Sequence, residues 1–62
     1  MKVSDFKRKV LKKNGCYKCH EGAGHEIWIN PKNGRTAPIS RHQSEELATG
    51  TMNAILKELG LK

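Results

Sequence analysis

A histidine closes the glycine-rich bridge Glu21-Gly22-Ala23-Gly24-His25-Glu26, and the apolar run Ile27-Trp28-Ile29 comes directly after it. Glycines let the backbone take unusual dihedrals and let another molecule approach closely. A histidine on such a bridge is within reach of a polar substrate, and an unperturbed imidazole, with a pKa of about 6.5, suits proton transfer near neutral pH. A second set of reactive side chains lies just upstream in Cys16-Tyr17-Lys18-Cys19-His20. Cys-x-x-Cys-His is the spacing of covalent haem attachment. Cys16 and Cys19, together with His20, His25 or His42, also supply the donor types of a tetrahedral zinc site.

Five elements must position these groups. Val3, Phe6, Val10 and Leu11 recur at helical spacing, while Lys7, Arg8, Lys9, Lys12 and Lys13 fill the other faces. Ser4 is suited to the N-cap and Asn14-Gly15 to the stop, which predicts a basic amphipathic helix over roughly residues 4–14. Cys16 to Glu21 reads as a strand with Tyr17 and Cys19 on one face and Cys16, Lys18 and His20 on the other. His25 to Asn30 is the best strand, rich in β-branched and aromatic residues. Pro31-Lys32-Asn33-Gly34 is a turn, and Arg35 to Ile39 returns antiparallel, with Pro38 either placing that strand at an edge or ending it. Residues 40–49 are polar and loop-like. Thr49 or Thr51 then caps a second helix with the stripe Met52, Ile55, Leu56 and Leu59, closed by Gly60.

The order helix, strand, strand, strand, helix predicts a two-layer α+β sandwich. Both helices cover one face of a three-stranded antiparallel sheet and leave the other face open. In the second strand His25, Ile27 and Ile29 share one face and Glu26, Trp28 and Asn30 the other. If Trp28 is core, the two isoleucines lie exposed beside His25 and suit a protein partner. Met52 is read as core. A strand through Cys16 and Cys19 splays the thiols to opposite faces, which disfavours both haem and zinc. Haem also needs a large apolar pocket, and only 5% of this chain is aromatic. No metal or cofactor is expected. The cysteines are read as reduced, Cys19 in the core and Cys16 half-exposed.

Sixty-two residues make a single domain, 1–62, that buries only about 60% of its unfolded surface. The 12 basic against 6 acidic side chains, net +6, favour a polyanion such as RNA. The N-terminus runs straight into a charged amphipathic pattern, with no apolar segment of membrane-spanning length. A cytoplasmic location and no membrane partner are expected.

The chain resembles the HicA-type toxins, small ribonuclease partners of HicB antitoxins. The resemblance covers nearly the whole length and is strongest in Pro38-Ile39-Ser40-Arg41-His42, Glu46-Leu47 and Gly50-Thr51-Met52-Asn53-Ala54-Ile55-Leu56-Lys57. The helix ending at Asn14-Gly15 and the glycine-histidine bridge match as well. Two features depart from the family pattern. The common Gly-Ser-His bridge, often followed by a second histidine, is here Ala23-Gly24-His25-Glu26, and Ser40 stands where proline is common.

The resemblance implies a double-stranded-RNA-binding-domain-like fold, metal-independent cleavage of mRNA that inhibits translation, a HicB-type antitoxin partner and His25 as the catalytic histidine. RNA carries its own nucleophile in the 2′-hydroxyl, so the protein need only move protons and steady the phosphate. On that reading the backbone N–H groups of Gly22 and Gly24 contact the phosphate, and Lys7, Lys12, Lys18 and Arg35 hold the RNA backbone. One histidine does not readily serve as base and acid in one step, and His20 and His42 are the other candidates. The alternative function is a non-catalytic RNA-binding module of the same fold.

Overall fold

In the computed structural model, which describes residues 1–62, the first helix is started by a distant loop. α1 (Val3–Phe6) begins before the expected Ser4 cap and has no side-chain cap. Its first free N–H groups instead donate to backbone carbonyls, Val3 to Glu45 at 2.9 Å and Ser4 to Gln43 at 3.0 Å. Leu47 returns an N–H to the Met1 carbonyl, and Lys2 bridges antiparallel to Glu46. The loop after the sheet therefore supplies acceptors that the local sequence was expected to supply through Ser4. α1 runs on without a break into a wider, π-type stretch, Lys7–Leu11, where the Lys12 N–H reaches back five residues to the Lys7 carbonyl.

The helix ends as expected at Gly15, with φ +84. Cys16 donates to the Leu11 carbonyl and Gly15 to that of Lys12, the paired bonds of a Schellman stop. This stop drives Cys16 against Leu11, so Cys16 is the buried thiol and Cys19 the exposed one, the reverse of the expected pair.

β1 (Tyr17–Gly22), β2 (His25–Asn30) and β3 (Arg35–Ser40) form an antiparallel meander with β2 central. A two-residue turn, Ala23-Gly24, joins β1 to β2, and Gly24 takes φ +79 there. Four residues join β2 to β3. Pro38 lies on an edge strand, where its missing N–H is tolerated, and the strand does not end there but runs on to Ser40. The β1–β2 register slips between Lys18 and His20: Lys18 faces Trp28, yet His20 faces Ile27. Cys19 is the extra residue of a β-bulge. The simple alternation expected along β1 therefore fails at its middle. His20 shares a face with Tyr17 and Ile27, not with Lys18.

α2 (Thr49–Glu58) starts at an Ala48 cap that contributes no side-chain bond, so neither Thr49 nor Thr51 caps it. Its end is a second Schellman stop: Leu61 donates to Leu56 and Gly60 to Lys57. Both helices pack on the Trp28 face of the sheet. Val3, Phe6, Leu11, Ile39 and Leu59 are the largest fully buried side chains, joined by Trp28, Ala37 and Ile55. Ile27 and Ile29 point to the open face but are half-buried by their neighbours, less exposed than expected.

Two polar residues share the buried face with Trp28, and each is satisfied from far along the chain. Glu26 accepts from Lys7 Nζ at 2.6 Å and from Trp28 Nε1 at 3.0 Å. Asn30, 2% exposed, donates to the Leu59 carbonyl at 2.8 Å, joined there by Asn33 at 3.0 Å. The β2–β3 turn thus completes the C-terminus of α2.

Candidate functional site

His25 opens β2 on the exposed face of the sheet. Its cross-strand neighbours are Gly22 on β1 and Ser40 on β3. Because Gly22 has no side chain, the sheet surface beside His25 is open on the β1 side. The turn folds back so that His25 Nδ1 lies 3.3 Å from the Ala23 carbonyl. A carbonyl can only accept, so Nδ1 carries the hydrogen and Nε2 keeps its lone pair in the neutral ring.

On the β3 side, His25, Pro38 and Ser40 border a cavity of about 280 Å³ that runs to Glu45, Thr51 and Glu58. Its charged lining residues are carboxylates, with no lysine or arginine among them. Ser40 is half-buried, and its hydroxyl accepts the His42 N–H at 3.1 Å. Sequence reasoning missed Ser40 as a neighbour of His25. The signal was present, because counting outward from the Asn30–Arg35 turn pairs residue 25 with residue 40.

Four of the twelve basic side chains gather elsewhere, while Arg41 stays near the His25 end of the sheet, 4.0 Å from Glu21. Lys7, Arg8, Lys12 and Lys18 line a cavity of about 410 Å³ between the first helix and β1, with Trp28, Tyr17 and Gln43. Lys7 is 5% exposed and committed to Glu26, with its ammonium 6.0 Å from the Trp28 ring centroid. It sits on the apolar helix stripe, at spacing i+4 from Val3, and not on the solvated face expected of it. Burial pushes the Glu26 carboxyl up. Hydrogen bonds from Lys7 and Trp28 and the charges of Lys7 and Lys18 outweigh that and hold it below its ordinary value. Arg8, Lys12 and Lys18 are exposed. Lys18 pairs with Glu21 at 3.3 Å across open solvent, a contact worth little.

The remaining candidates are spread out. Arg35 faces Asn30 at the far end of the sheet, five residues and so roughly 17 Å from the His25 row. Gly24 is in the turn and Gly22 in the strand. His42 is exposed beyond β3, while His20 is exposed on the same face as His25. Burial pushes the Cys16 thiol up, partly offset by the charge of Lys32. No three of the histidine, cysteine, aspartate and glutamate side chains converge as a metal-binding group. No helix is long and apolar enough to cross a membrane.

Residues 8–61 match the family model described as the HicA toxin of bacterial toxin–antitoxin. No curated protein and no solved structure matches the chain.

Proposed function

We propose an activity for this chain from the premise that it belongs to the HicA toxin family of bacterial toxin–antitoxin systems: it is a metal-independent endoribonuclease that cleaves mRNA and so inhibits translation. The observation that carries this reading is the setting of His25, exposed on the open sheet face beside a strand position without a side chain. A phosphodiester laid over Gly22 comes within reach of the His25 ring. The unprotonated Nε2 takes the 2′-hydroxyl proton, and the freed oxygen attacks the adjacent phosphorus. This transfer needs no metal because the nucleophile belongs to the substrate. Gly22 and Gly24 let the RNA backbone approach closely; the Gly22 N–H lies in the ladder with His25, so this strand position contributes access and not a phosphate donor.

Arg8, Lys12 and Lys18 form the electrostatic track that brings RNA to the β1 edge, and Arg35 extends positive charge to the far end of the sheet. Lys7 contributes to this track only through its hold on Glu26. A toxin of a toxin–antitoxin pair has an antitoxin partner, and here we assign it to the HicB type. The half-buried Ile27 and Ile29 give it an apolar place to dock beside His25, where it would cover the reacting groups.

The test is incubation with single-stranded RNA in EDTA, beside a His25→Ala variant. Cleavage by the parent, slowed by about 10²–10⁴-fold in the variant, is the expected result for a lost proton-transfer group. Binding without cleavage by the parent would instead make the protein a non-catalytic RNA-binding module.

A further inference from the structure

We infer that His20 is the second proton-transfer group of this site, the general acid that protonates the leaving oxygen. The inference rests on the ribonuclease reading above and goes beyond it by naming the acid. Its basis is the β-bulge. Without Cys19 as an extra residue, His20 would share the face of Lys18, toward the helices. The register slip instead sets His20 opposite Ile27, on the face that carries His25.

His25 pairs with Gly22, two positions along β1 from His20, so the two histidines are diagonal neighbours across the strand pair. Such neighbours have Cα atoms about 7–8 Å apart. The position directly across from His25 is the one that lacks a side chain, so nothing on β1 fills the space between the two rings. A Cβ on Gly22 would meet nothing closer than the His25 carbonyl at 3.9 Å. A phosphodiester set in that gap would have one histidine on the side of each of its two ester oxygens. Bulges commonly re-aim a side chain in this way beside functional sites.

The two rings are not equivalent. The Ala23 carbonyl occupies Nδ1 of His25, so Nε2 is the nitrogen left to exchange a proton with the substrate. His20 is exposed on an edge strand and can take its proton from solvent. In the reaction, His25 Nε2 removes the 2′-hydroxyl proton and the 2′-oxygen bonds to phosphorus. The bond from phosphorus to the 5′-oxygen breaks, and His20 gives its proton to that oxygen. The products are a 2′,3′-cyclic phosphate and a 5′-hydroxyl. Solvent then restores both rings to their starting protonation.

The experiment compares parent, His20→Ala, His25→Ala and His42→Ala on two substrates, ordinary RNA and RNA whose scissile 5′-oxygen is replaced by sulfur. A thiolate leaves without being protonated, so the sulfur substrate needs no general acid. His20→Ala should cleave ordinary RNA about 10²-fold or more slowly and the sulfur substrate at close to the parent rate. His25→Ala should lose both, and His42→Ala neither. Equal losses by His20→Ala on the two substrates, full activity on both, or the selective loss appearing in His42→Ala would overturn the assignment of His20. A parent that cleaves neither substrate overturns the ribonuclease reading itself, and the assignment with it.

Discussion

At the scale of single residues, the most consequential contact is the buried trio Lys7, Glu26 and Trp28. Glu26 directly follows His25, so its anchorage to the first helix fixes the start of β2 from behind the sheet. Removing one partner of such a pair leaves an uncompensated charge in a nearly dry place, at a cost of about 3–5 kcal/mol. Lys7→Met should lower the stability by that amount in urea unfolding at pH 7. A change below ~1 kcal/mol would mean that the pair is well hydrated. The pH dependence has a definite sign. The fold holds the Glu26 carboxyl below its ordinary value of 4.5, so the unfolded chain binds the proton more readily. This contribution is complete above that value and is lost as the pH falls through the lower, folded one. Unfolding midpoints followed from pH 6 down to pH 2.5 should decline in the parent with a steeper acid limb than in Glu26→Gln.

At the scale of elements, the second hairpin and the second helix are one unit. Asn30 and Asn33 both donate to the Leu59 carbonyl, which the helix itself leaves free at its end. Gly60, the next residue, has φ +72, and a side chain there would overlap the Asn33 amide. Asn30→Ala removes a buried donor and should cost about 1–3 kcal/mol. Hydrogen exchange should show the loss concentrated in the last turn of α2 and in the 31–34 turn. Uniform destabilisation would argue that Asn30 acts by packing alone. The same logic explains the first helix, whose opening N–H groups depend on carbonyls of residues 43 and 45. Neither helix is capped by a side chain of its own first turn.

At the scale of the whole molecule, the two faces of the sheet have different work. The covered face holds a core of only ten buried apolar residues, so the fold has little stability to spare and gains from a bound partner. The open face carries His20, His25, Ile27 and Ile29, while the exposed Arg8, Lys12 and Lys18 line the cleft around the β1 edge. An antitoxin seated on the open face would bury the isoleucines and the histidines together. Ile29→Asp, placed away from His25, should weaken antitoxin binding by at least ~10-fold, the size of a modest interface hot spot. Calorimetric titration would measure this, with circular dichroism confirming the fold. Unchanged affinity would move the docking surface elsewhere.

The sequence by itself determined the elements, because their signals are local. Apolar residues at helical spacing, the alternating run after His25 and the stops at Gly15 and Gly60 each act within one or two turns of chain. It also offered His25 as the candidate for proton transfer, since a glycine bridge beside a histidine is a local pattern. What tertiary structure decided are the features whose partners lie far along the chain. The face of β2 that is core stayed open in the sequence because Glu26 and Asn30 flank Trp28 there. Their partners, Lys7 and the Leu59 carbonyl, stand 19 and 29 residues away. Lys7 read as a surface charge until Glu26 was opposite it. The face of His20 depended on one extra residue in β1, and a bulge is an agreement between two strands that neither strand's sequence contains.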